Sequence, residues 1–228
     1  TFGDMAENHV GMQQIGQMAP VGQGFQLEDL ESVKRVMEAR GTLCEIISLG
    51  QGAETAELGA HLLVIRGGVT ALVGDQLEIF KEQKGLAYDK QAFMYGRVVQ
   101  KHARWNLCFD ERGQEPDYES GKGRIVGYHE VPLMAGLKGK IEEFFGPKAS
   151  GLKVESNYYY DTSKCGIGFH GDGERRKVIG VRIGYSSMPM HYQWFYQGEA
   201  VGSLSVEQRV GNGLVLVPEK RDLFATMT

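Results

Sequence analysis

At 228 residues and 42% hydrophobic content, the chain can bury one large core or two small ones, which excludes a disordered polymer. A formal net charge of −4 excludes a generic nucleic-acid coat, since neutralising phosphates takes clustered Lys and Arg, although local basic patches remain open. No run approaches the roughly 18 apolar residues of a membrane span. The opening TFGDMAENH lacks the basic flank and apolar core of a signal peptide and reads as the start of a fragment. Three scattered cysteines, Cys44, Cys108 and Cys165, indicate neither a disulfide framework nor a zinc site, and the simplest compartment is a reducing intracellular one, cytoplasmic or nuclear. Thirty-two glycines fit many tight turns in a strand-rich fold.

Residues 1–24 mix Gly, Gln and Met without a period, which predicts an irregular, partly ordered segment wrapped over another part of the molecule. From Gln26 to Arg40, Leu27, Leu30, Val33, Val36 and Met37 recur at helical spacing, with Gly41 placed to end the helix. Thr42–Leu49 and His61–Arg66 read as strands, Gly67-Gly68 turns the chain, and a further helical stretch runs near Ala71–Gln83. His61 begins an apolar strand and reads as structural. These elements make residues 1–90 an N-terminal α/β elaboration, and the lack of a Pro- or Ser-rich linker favours packing on the main sheet over an independent domain.

Residues 91–228 form the second unit. Gln91–Asp110 interleaves Phe93, Tyr95, Trp105 and Phe109 with Arg97, Lys101, His102 and Arg104. In a nucleic-acid enzyme such a stretch can stack a flipped base and hold the strand's phosphates; a strand pair with buried aromatics explains the same pattern. Gln114–Lys122 is polar and reads as an exposed loop. Pro132–Phe145 starts with Pro at a helix N-terminus, carries Leu133, Leu137, Ile141 and Phe144 on one face and is closed by Gly146.

The stretch NYYYDTSKCGIGFHGDGERRKVIGVRIGYSSMPMHYQWF carries the chemistry. Val154–Tyr160 suits a strand by its aromatic and β-branched content, and a second short strand delivers His170-Gly171-Asp172. Alternate strand side chains share a face, so His170 and Asp172 can hold one metal ion between them, with Gly171 leaving it uncrowded. Joined by a second histidine, such a pair completes a face suited to non-haem iron(II) with open positions. VIGVRIG, MHYQWFY, SLSVEQRV and GLVLVP then follow at the rhythm of an antiparallel β-sandwich.

Asn157-Tyr158-Tyr159, His170-Gly171-Asp172, Glu174-Arg175 and KVIGVRIG together resemble the AlkB-like iron(II)- and 2-oxoglutarate-dependent dioxygenases, over about Arg97 to Val217. The resemblance implies an α+β fold with a double-stranded β-helix, or jelly roll, flanked by helices. It implies that His170 and Asp172 ligate iron(II), that Asn157 and Tyr159 hydrogen-bond 2-oxoglutarate, and that the four line one cavity. Lys101, Arg104 and Trp105 become candidates for a substrate-facing surface near the metal, with nucleic acid the expected partner and a protein side chain the runner-up. The family's second histidine follows a late strand resembling Gly213–Val217, and an arginine for 2-oxoglutarate lies further on; neither is found before Thr228. His191 comes too early to be that histidine. The activity so implied is hydroxylation or demethylation, and the alternative is a catalytically silent roll used for binding or assembly.

Overall fold

Helices form where apolar spacing, capping and glycine agree. In α1 (Leu27–Glu38) Leu30, Val33 and Met37 are buried, Asp29 accepts from the Gln26 backbone at 2.7 Å, and Gly41 leaves the helix at φ +80°. The stretch expected as one helix near Ala71–Gln83 is two, α2 (Gly68–Val73) and α3 (Gln76–Lys84). Gly74 at φ +89° ends the first and Asp75 caps the second, accepting from Leu77 N at 2.9 Å. Helix α4 (Pro132–Phe144) buries Met134, Leu137 and Ile141, whereas Leu133, expected on that face, is exposed.

The computed structural model describes residues 1–7, 9, 11–49, 60–185, 190–196, 199–204, 213–217 and 223–227. Its strands are β1 (Phe2–Gly3), β2 (Met5–Ala6), β3 (Ile15–Gly16), β4 (Leu43–Ser48), β5 (His61–Arg66), β6 (Gln91–Met94), β7 (Arg97–Gln100) and β8 (Trp105–Asp110). There follow β9 (Ile125–Gly127), β10 (Lys153–Tyr158), β11 (Ile167–His170), β12 (Val178–Val181), β13 (Met190–Tyr196), β14 (Glu199–Leu204), β15 (Gly213–Val217) and β16 (Leu223–Met227). The fold is mixed α+β with strands predominating. The later part of the expected strand SLSVEQRV, residues 205–210, lies outside the described residues, as does Pro218.

One sheet has eight strands in the order β4-β5-β15-β12-β1-β10-β8-β9, antiparallel except for the β8–β9 pair. A second sheet runs β11-β16-β13-β14, and β2–β3 and β6–β7 are separate two-stranded ribbons. Strand β5, from the N-terminal unit, pairs with β15, so one sheet draws strands from both sides of residue 90. Residues 1–24 also differ from the expected wrapping. Phe2 and Gly3 form a central strand between β10 and β12, too short to show any period in the sequence, while Ala6 and Ile15 do pack over Cys108.

Strand alternation gives the large sheet two unlike faces. On one, Phe2, Leu63, Ile65, Leu107, Phe109, Val154 and Ile179 meet the buried stripes of α1 and α4 in the main core. On the other, Leu62 and Val64 pack with Tyr192 of β13, bringing the small sheet against the large one. That second face is where the polar residues of interest lie.

Candidate metal and substrate site

β10 pairs with β8 so that Glu155 is opposite Cys108, Asn157 opposite Asn106 and Tyr158 opposite Trp105. Because Val154 is in the helix-covered core, Glu155, Asn157 and Tyr159 follow on the other face. Strand β11 ends at His170, so Asp172 is delivered by the following loop and not by strand alternation. The two side chains meet all the same: His170 Nε2 and Asp172 Oδ1 are 3.6 Å apart. His170 Nδ1 lies 2.8 Å from the carbonyl of Gly168. A carbonyl oxygen only accepts, so a neutral imidazole carries its proton on Nδ1 and presents a lone pair at Nε2 toward Asp172.

Arg175 gathers the acidic groups around this pair. Its Nη2 donates to Glu174 Oε1 at 2.9 Å and to Glu155 Oε2 at 3.4 Å, and its Nε lies 3.7 Å from Asp172 Oδ2. Burial works against the Arg175 cation, but Asp172, Glu155 and Glu174 outweigh it and hold the guanidinium charged. Burial likewise pushes the Glu155 carboxyl up; Arg175 and then Arg104 outweigh that and leave it below its ordinary range. The loop is fastened beyond Arg175 by Asp4, whose carboxylate accepts from the backbones of Arg176 at 3.0 Å and Lys177 at 3.1 Å.

Asn157 Oδ1 accepts from Arg104 Nε at 2.6 Å, which leaves its amide NH2 as the group able to donate to a ligand. Burial raises the Tyr159 phenol, with Arg104 and Glu155 close enough to act on it. Arg104 is itself buried, and Lys101 Nζ donates to Asn106 Oδ1, so both cations turn to asparagines of the β8–β10 pair. Burial lowers the Lys101 pKa. Trp105 is on the opposite face, stacked on Tyr160 at 4.1 Å between centroids, with Lys90 4.3 Å from its ring centre. The sheet thus brings Asn157, Tyr159 and Arg104 together on one face, links them through Glu155 and Arg175 to Asp172 and His170, and separates Trp105 from them.

Register adds Tyr192. His170 is paired with Ala225 of β16 and Ala225 with Tyr192, a row across the small sheet, whereas His191 alternates to the other side. Tyr192 is buried; burial raises its phenol well above the ordinary range, with Arg182 and Asp172 acting on it. Only the fold shows Tyr192 and Arg182 at this site. Glu155 had a signal in the sequence, two residues before Asn157 on the same strand face. Among the described residues no three His, Cys, Asp or Glu side chains form a group able to hold a metal, so the local donor set is the His170–Asp172 pair. Among them also, no helix is long and apolar enough to cross a membrane.

No protein-family model matches the chain. It is similar to "Uncharacterized protein R156" of Acanthamoeba polyphaga mimivirus, 44% identical over 217 residues that make up 93% of this chain and 83% of that protein.

Proposed function

We propose that this chain, which belongs to the family of the mimivirus protein, is an iron(II)- and 2-oxoglutarate-dependent dioxygenase of the AlkB type, acting on a nucleic-acid base. The observation that carries this reading is the His170–Asp172 pair: Nε2 facing Oδ1 at 3.6 Å, with Nδ1 anchored on a carbonyl. Two donors, each about 2.1 Å from one ion, stand roughly 3–3.6 Å apart when they subtend roughly 90–120°, so the pair fits two corners of a metal site. The anchored Nδ1 is the outer hydrogen bond that metal-ligating histidines ordinarily make. Stacking of the small sheet on the large one through Leu62, Val64 and Tyr192 supports a jelly roll.

Iron(II) with 2-oxoglutarate and oxygen supplies the power to insert one oxygen atom into a substrate C–H bond, the co-substrate leaving as succinate and carbon dioxide, and an N-methyl carbon so hydroxylated departs as formaldehyde. The protein's share is placement. His170 and Asp172 would hold the metal. The Asn157 amide and the Tyr159 phenol would bind a carboxylate of the co-substrate. Arg104 orients Asn157 by occupying its oxygen. Changing His170 to Ala is expected to abolish succinate release while circular dichroism and thermal unfolding stay near wild type, and Asp172→Ala to abolish it with some loss of stability, because Asp172 is also a charge partner of the buried Arg175. Wild-type rates in both variants overturn the reading.

The Tyr160–Trp105 stack, with the exposed Lys90 cation over the indole, lies on the sheet face away from His170 and Asp172, so its part in substrate choice is to dock flanking strand and not to hold the reacting base. Such a platform suits a base, each stacked base contributing about 1–3 kcal/mol, and a protein side chain is the runner-up. Oligonucleotide affinity is expected to fall with salt and to fall further in Trp105→Ala; negligible binding at low salt moves the substrate to protein. One observation favours a second reading, a catalytically silent roll used for binding: the described residues supply two donors to the site and not three. Absence of 2-oxoglutarate turnover by the wild-type protein selects it.

A further inference from the structure

We infer that Arg175 is a positioning residue for Asp172, anchored from beneath by the buried Glu155, and that this pair sets the metal affinity of the site. The inference rests on the metal-site reading above. Asp172 follows the end of β11 and has no strand pairing to fix it. Its Oδ1 faces His170, and its Oδ2 stands 3.7 Å from Arg175 Nε, whose proton goes to Glu174 Oε1 at 3.0 Å, so the guanidinium holds the oxygen that the metal pair leaves over by charge and not by a hydrogen bond. The Arg175 side chain is 3% exposed and the Glu155 side chain 2%, and Glu155 belongs to the central strand β10, a rigid base. Further fixation comes from Glu174 at 2.9 Å and from Asp4 on the next two backbone N–H groups. The large sheet also makes room for the arginine: a Cβ on Gly3 would stand 3.1 Å from Arg175 Cδ. An ionic anchor of this kind orients a ligand that the backbone leaves loose.

The test is Mn(II) binding, followed by the electron paramagnetic resonance signal of the free ion, on wild type, His170→Ala, Arg175→Met, Arg175→Lys and the double variant Glu155→Gln/Arg175→Met. Arg175→Met alone leaves the buried Glu155 with the Glu7 backbone N–H at 2.9 Å but without the paired guanidinium, and misfolding there would mask the effect. The double variant removes both charges, so its thermal unfolding should return toward wild type. Its Mn(II) dissociation constant should nevertheless stay raised by about 10–100-fold. Arg175→Lys, which keeps the charge and loses the fork, should recover part of the affinity. Wild-type Mn(II) affinity in the double variant, with His170→Ala silent, overturns the inference alone. A wild-type protein that binds no Mn(II), or a His170→Ala variant that binds as well as wild type, sinks the metal-site reading and the inference together.

Discussion

The two faces of the eight-stranded sheet are built from the same strands and obey different physics. Toward the helices, Leu107, Phe109, Val154 and Ile179 are fully or almost fully buried and interact by shape alone. On the other face of the same strands, Asn106 and Glu155 are equally buried but depend on named partners: Glu7 Oε2 for Asn106 at 2.8 Å, Arg175 for Glu155. An apolar face tolerates any well-filling neighbour, whereas a buried polar face is stable only when each group finds its complement. The apolar face therefore supports the fold, and the polar face defines a geometry.

The sharpest way to break that contrast is to damage each face separately. Phe109→Ala should cost about 3–5 kcal/mol by urea unfolding, the range for deleting a buried aromatic, and leave Mn(II) affinity of the surviving native fraction unchanged. Glu155→Gln should cost about 3 kcal/mol, because it leaves Arg175 buried with one charge partner fewer, and should weaken Mn(II) binding as well. The two also differ with pH. Glu155 has a folded pKa depressed below its ordinary value, so its contribution is full above about pH 4.5 and is lost as pH falls through the lower folded value. Wild type should accordingly lose stability on acidification below about pH 4.5 more steeply than Glu155→Gln, while Phe109→Ala keeps the wild-type slope.

The smallest effect lies in the turn after β10, where water replaces burial. Hydrogen bonds from Ser163 and Lys164 lower Asp161 to about 2. Its support of the turn is present above the ordinary carboxylate value and disappears as pH falls toward 2. Ser163→Ala should raise that pKa measurably in an NMR titration, with no detectable change in thermal unfolding. A global destabilisation instead would show that the turn is coupled to the polar face.

What could be read in the chain divides along the same line. Periodicity located α1, α4, β4, β5 and β10 within a few residues, because burial against one apolar surface leaves a regular imprint. It missed β1, two residues long, and β16, and it merged α2 with α3 because the stop at Gly74 breaks no apolar pattern. At the site, the motif residues His170 and Asp172 were visible as letters, and the loop after β11 sets their side chains 3.6 Å apart. The strand argument for them did not hold, since β11 ends one residue before Gly171. Lys101 and Arg104 show the converse limit. Sequence reveals a cation but not which way it turns, and here both turn to asparagines on neighbouring strands. Tyr192 joins the site only through cross-strand register, which depends on pairings far apart in the chain.

Strand β1 bears on how the molecule assembles. The large sheet consists of two blocks, β4-β5-β15-β12 and β10-β8-β9, and Phe2–Gly3 is the wedge that joins them. Ribbons such as β6–β7 close short loops, while Phe2 must find Val154 and Ile179 across most of the chain, so loop-closure entropy delays the wedge relative to the hairpins. Until it inserts, β10 and β12 present open edges to each other and to any other unfinished chain, which makes this seam the step at which misassembly and aggregation compete with folding.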